Sequence, residues 1–257
     1  MIAAFSTAAL FPMSTIPALE LISGAGFKEA ELMPQCREDT SPDSLNRIRT
    51  LNLRISSIHL PLVYFPVFYN PQVDMVMEAR ELSRALVKAG TTLNTKIIVI
   101  HALSPMTPLQ RELFQLPVTE NIRYLCDQAW EAGITVALEN NPHTLAATPE
   151  ELLDQVKRIE RSNIAPMVDT TEAMEAGIDP ACFIKQVKPV HMHLSDYNKD
   201  AKHIPAGQGL SDWPAIITAL KEINYSGRLV MEPSYRYFLE NPDAGVQKSL
   251  AFINSLM

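Results

Sequence analysis

The stretch "ITVALE", residues 134–139, alternates strictly: Thr135, Ala137 and Glu139 share one face, and Ile134, Val136 and Leu138 share the other. Successive side chains of a β-strand point to opposite faces. Small or polar residues fit the crowded interior of a barrel, and branched apolar ones fit the layer beneath its helices. The run then ends on a carboxylate. Seven further short runs resemble it: "IAAFS" (2–6), "EAELM" (29–33), "ISSIH" (55–59), "KIIVIH" (96–101), "IAPMVD" (164–169), "PVHMHL" (189–194) and "GRLVME" (227–232).

Helical patterns separate these runs. "PQVDMVMEARELSRALVKAG" repeats apolar residues every three or four positions and is expected to stop at Gly90. "TPEELLDQVKRIERSN" has Thr148 as cap, Pro149 at the first helical position and Glu151 three residues after the cap. "SDWPAIITALKEI" starts on Ser211 or Asp212, and "AGVQKSLAFINSL" forms the last helix. "SGAGF" (23–27) lies between a helix and the second strand, which makes it a helix C-cap rather than a dinucleotide loop. Eight strand–helix alternations over 257 residues predict an α/β fold, a (β/α)8 TIM barrel in one domain spanning 1–257.

Composition narrows the function. A net charge of −7 argues against general affinity for phosphate backbones, so nucleic acid is not an expected partner. No apolar run is long enough to span a membrane. The apolar N-terminus carries no cation before Lys28 and reads as a strand and helix rather than a leader. Cys36, Cys126 and Cys182 are odd in number and widely spaced, as expected of reduced thiols in a cytoplasmic protein. Barrels of this size commonly form homo-oligomers, but no residue specifies an interface.

Active sites of this fold lie at the C-terminal ends of the strands. Strands three to eight end at His59, His101, Glu139, Asp169, His193 and Glu232. Every one is a residue type that binds metal, while five of the strand bodies are almost wholly apolar or small. Glu139, Asp169 and Glu232 share parity with inward positions, so their carboxylates should converge. Burying them together without a cation would be costly, because like charges repel and raise each other's pKa. A divalent metal removes that conflict. His191 lies two residues deeper than His193 on the same face and reads as a core partner.

Read in order, the fragments "GFKEAELMP" with Glu31, "ALENNP", "VDTTEAMEAG", "HMHLSDY", "HIPAGQGLSDW" and "MEPSY" resemble the xylose isomerase-like barrel superfamily. That group includes sugar isomerases and epimerases, dehydratases and the endonuclease IV class. The resemblance implies one Mn, Zn, Mg or Co ion held by Glu139, Asp169, His193 and Glu232. It implies Glu139 and Glu232 as the acid–base pair that carries a small sugar or polyol derivative through an enediolate. Under that reading His101, Lys202, His203 and Arg236 grip substrate hydroxyls or a phosphate. His59 orients substrate or closes a second metal site. Glu172 stands where the epimerases carry a substrate-contacting His.

Two alternatives share the scaffold. A sugar or inosose dehydratase would use the same ion and the same proton abstraction. A zinc phosphodiesterase acting on DNA would use His59, His101 and His203 as further ligands. It would, however, expect His where Glu172 stands and Asp where Ala201 stands. "SPMTPLQRELFQLP" (104–117), the longest loop-like stretch, carries only Arg111 as a cation, and no basic rim with aromatic wedges is evident. "FPVFYNP" (65–71) reads as a packed aromatic loop.

Overall fold

The computed structural model describes residues 1–257. All eight expected strands form: β1 (Ile2–Ser6), β2 (Glu29–Leu32), β3 (Arg54–His59), β4 (Ile97–His101), β5 (Thr135–Glu139), β6 (Ile164–Asp169), β7 (Met192–Leu194) and, after a short antiparallel pair β8 (Asp196–Tyr197) and β9 (Lys202–Ile204), β10 (Arg228–Met231). The eight run parallel and close into a barrel in the order β1-β10-β7-β6-β5-β4-β3-β2. The chain is a single-domain (β/α)8 TIM barrel. Glu232 sits one residue beyond β10, yet its backbone N–H donates to Leu194 O at 3.0 Å and so holds strand alignment.

The alternation read from "ITVALE" separates two cores. Val136 and Leu138 join the large apolar layer between strands and helices. Ala137 joins Val99 and Met167 in a small cluster inside the barrel, with Ile97 packed against it.

Two helix readings need correction. The helix expected to stop at Gly90 runs Val76–Leu93 and ends on Asn94, whose φ of 55° supplies the left-handed cap. Gly90 serves close packing instead, since a Cβ there would stand 2.8 Å from Ile134 Cδ1. The stretch 104–117 is mostly helix rather than loop. Thr107 and Gln110 cap each other reciprocally, Pro108 takes the first position, and the helix continues through Pro117 to Glu131. Leu109, Leu113 and Leu116 stay exposed on it. Asp212, not Ser211, caps the helix Trp213–Glu222 by accepting from Ala215 N at 3.0 Å. No helix is long and apolar enough to cross a membrane.

Candidate metal centre and acid–base site

The ends of β5, β6, β7 and β10 bring Glu139, Asp169, His193 and Glu232 together, with one ligand atom from each lying within 4.8 Å of all the others. His193 is fully buried at their centre. Its Nδ1 lies 2.6 Å from Glu232 Oε2 and 3.2 Å from Glu139 Oε1. Ser6, at the end of β1, donates to Glu232 Oε1 at 2.9 Å. Asn140 clamps the end of β6, accepting from Asp169 N at 2.7 Å and donating to Asp169 O at 3.2 Å. Asp169 also caps the helix Thr170–Glu175, because its Oδ1 accepts from Glu172 N at 2.9 Å.

The donor set fits a divalent cation. Asp169 Oδ2 is a buried carboxylate oxygen without a partner, while Glu139 Oε2 has only charge contacts, with His101 Nε2 at 3.1 Å and His59 Nε2 at 3.5 Å. A buried unpaired anion is costly. Burial pushes the Asp169 carboxyl up to about 7; His203 opposes this, and the charges of Glu139 and Glu172 add to it. Burial also pushes Glu139 up, but facing His101 and His193 more than offset it and hold the group well below the usual carboxylate range. Three carboxylates and one imidazole form a mostly oxygen set, suited to Mn, Mg, Zn or Co.

The remaining strand-end histidines form a second group against Glu139. The ligand atoms of His59, His101 and Glu139 also lie within 4.8 Å of one another. His59 places Nδ1 2.7 Å from Leu60 O, so that nitrogen donates and Nε2 faces Glu139. Tyr69 fixes His101 through its backbone: the hydroxyl donates to His101 O at 2.7 Å and accepts from His101 N at 3.1 Å. Phe65 stands edge-on to the His101 ring. The aromatic stretch 65–71 therefore packs against the site.

Glu172 and His203 meet beside Asp169. His203 Nε2 is 3.0 Å from Glu172 Oε1, and His203 Nδ1 is 3.2 Å from Ser195 Oγ, which in turn contacts Thr171 Oγ1 at 2.8 Å. Burial lowers the His203 pKa, but the Glu172 hydrogen bond together with the negative charges of Asp169, Glu172 and Glu232 outweighs it and raises the group to about 9. Asp196 is structural: its carboxylate accepts from the backbone N–H of Tyr197, Gly207, Gly209 and Ser211 and from Trp213 Nε1. A Cβ on Gly209 would overlap that carboxylate, which accounts for the glycine.

A cleft of about 270 Å³ opens over these groups. His59, His101, Glu139, Glu172, His203 and Glu232 line it, with Met33, Leu62, Pro233 and Tyr235 among the other walls. No Lys or Arg reaches it. Lys202 binds Glu175 at 2.9 Å outside the lining, and Arg236 is exposed on the rim.

Sequence reasoning assigned no role to Glu31. It is fully buried on β2, with Oε1 2.9 Å from His193 Nε2 and Oε2 2.9 Å from His191 Nε2. Burial pushes its carboxyl up, but the two histidines hold it well below the usual range. The available signal was a Glu of inward parity in a wholly buried strand. Asn140 and Tyr69 were likewise missed, since their partners are backbone groups of other strands.

Fold and site together define a parallel (β/α)8 barrel with a carboxylate–histidine cluster at its C-terminal mouth. The chain belongs to the xylose isomerase-like TIM barrel family, whose family model matches residues 19–256. An uncharacterised protein of Methanocaldococcus jannaschii is 25% identical over 88% of this chain and 82% of its own length. D-psicose 3-epimerase of Enterocloster bolteae is 30% identical over 118 residues, covering 44% of this chain and 38% of the epimerase. The chain thus matches well under half the length of that relative. Among solved structures, a D-tagatose 3-epimerase-like protein superposes with a TM-score of 0.81 at 21% identity, over 100% of this chain and 97% of that one.

Proposed function

We propose that this chain is a divalent-metal-dependent isomerase or epimerase acting on a small sugar or polyol derivative that carries a carbonyl beside a hydroxyl. One observation carries the reading: Glu139 and Glu232 approach the same nitrogen of His193 from different strands, at 3.2 and 2.6 Å, over an open cleft. A cation held by Glu139, Asp169, His193 and Glu232 would polarise the carbonyl and acidify the neighbouring C–H. One glutamate takes that proton, and the C–H electron pair forms the C=C bond of an enediolate. The other glutamate returns a proton to the opposite face or to the neighbouring carbon. Ser6 orients Glu232, while His101 and His193 keep Glu139 ionised. The absence of Lys and Arg from the lining favours a substrate without phosphate. The local likeness to D-psicose 3-epimerase supports the same class.

The test is incubation of the metal-loaded protein in deuterium oxide with D-psicose, D-tagatose, D-fructose and a panel of ketoses and keto-polyols. Deuterium entering carbon, with interconversion of epimers or isomers, is the expected outcome. Loss of water from the substrate would point to a dehydratase using the same abstraction. No exchange into any member, with metal bound, would overturn the reading. The His59–His101–Glu139 group supports a second reading, a phosphodiesterase in which these three residues would hold a second ion. Zinc-dependent hydrolysis of an abasic-site DNA, with two or more ions per chain, would favour it.

A further inference from the structure

Beneath the mouth, His193 also belongs to a second buried group with two residues that the proposed chemistry does not use: Glu31 on β2 and His191 just before β7. β2 and β7 are separated by β1 and β10 around the barrel, so Glu31 reaches across the interior. All three side chains are essentially inaccessible, at 0%, 1% and 0% exposure. Each Glu31 oxygen lies 2.9 Å from one imidazole Nε2, Oε2 hydrogen-bonded to His191 and Oε1 in charge contact with His193. The His193 contact is bent, whereas the His191 contact is a well-formed hydrogen bond. The other edge of His193 presents Nδ1 to Glu139 and Glu232.

An ionised carboxylate only accepts, and a neutral imidazole carries a single N–H. Without a cation, Nδ1 at 2.6 Å from Glu232 Oε2 must carry a proton; a cation bound there would displace that proton and leave the single N–H of a neutral His193 on Nε2, facing Glu31. His191 occupies the second oxygen of Glu31 and so fixes the plane of the carboxylate. We propose that Glu31 and His191 form a positioning pair that sets His193 to bind metal through Nδ1. The proposal rests on the metal-dependent reading above, but it concerns residues that touch neither substrate nor cation.

Titration calorimetry of the metal-stripped protein with Mn²⁺ and Zn²⁺ tests it, comparing wild type, Glu31→Gln and His191→Phe. Glu31→Gln keeps the shape and removes the charge, and is expected to weaken both metals by about 10–100-fold. His191→Phe leaves Glu31 in place and should give a smaller loss in the same direction. Thermal melts establish that each variant is folded, and His191→Phe carries the test if Glu31→Gln is not. Nitrogen-15 NMR of the histidines in the zinc-loaded protein supplies a readout that a merely structural role would not move. Wild type should show a metal-shifted Nδ1 and a protonated Nε2 on His193, and Glu31→Gln a mixture of forms. Unchanged affinity and an unchanged His193 spectrum in both variants would overturn this proposal alone. No metal binding by wild type would overturn the metal reading and this proposal with it.

Discussion

The interior of the barrel is built in two ways. Under Glu139, the strands β4, β5 and β6 contribute Val99, Ala137 and Met167, a dry apolar plug. Under His193, β2, β3 and the segment before β7 contribute Glu31, Ser57 and His191, all buried and all polar. The two ligands ask different things of their floor. A carboxylate offers two equivalent oxygens and needs only a wall to stand on, with His59 and His101 steering it from the side. An imidazole offers two inequivalent nitrogens and needs a partner that tells them apart. Polar burial, which usually costs stability, sits where direction matters.

Substitutions can break this contrast. The largest effect is expected at the site itself: Glu139→Gln should lower turnover by about 10²–10⁴-fold, the range for losing a general acid or base. It should also reduce metal per chain, read by elemental analysis. In the dry half, Met167→Ala should cost about 2–5 kcal/mol through cavity formation, a melting-temperature drop of roughly 2–4 °C per kcal/mol. A loss of metal affinity as large as that of Glu31→Gln would erase the distinction between the halves.

Above the floor, Tyr69→Phe removes two hydrogen bonds to the His101 backbone. Each contributes about 0.5–1.5 kcal/mol, so a melting shift of a few degrees is expected in chemical or thermal denaturation. His203 supplies a pH signature. Burial lowers its pKa, but Glu172, Asp169 and Glu232 together raise the folded-state value above the ordinary 6.5, to about 9. Its stabilising contribution is therefore complete below about pH 6.5 and lost as pH rises through about 9. Metal-free wild type should melt above His203→Gln at pH 6, with the gap closed by pH 10; a gap that widened instead would reverse the sign. The smallest effect belongs to the wet half. The Ser57 hydroxyl is buried without a partner, so Ser57→Ala should change stability by no more than about 0.5 kcal/mol, or raise it slightly.

The fold was legible because the period-two pattern and the strand-end residues are local signals. "ITVALE" alone separates the inner Ala137 from the outer Val136 and Leu138, and β4 and β6 repeat that logic, with Val99 and Met167 inside and Ile98, Ile100 and Val168 outside. The cluster of Glu139, Asp169, His193 and Glu232 follows once the strands are known to be parallel and closed, because their ends share one rim. Residues that depend on reach were not legible. Lys202 sits beside His203 in sequence, yet alternation along β9 turns it outward to Glu175. Glu31 and His191 lie 160 residues apart, and only the diameter of the closed barrel brings them together. Gly90 misled for a related reason, since its meaning lies in Ile134 on another element.

The Asp196 carboxylate, which collects five donors from residues 197 to 213, has a consequence for how the rim moves. The segment that carries His203 over the cleft is tied through this one side chain in addition to the packing of Ile204 and Ala206. Its amides cannot be released singly without giving up the shared anion. Gly207, Gly209 and Ser211 are therefore expected to exchange with solvent at one common rate, as a single opening unit. Asp196→Asn should speed all three together, while the amides of β5 and β6 keep their own slower clock.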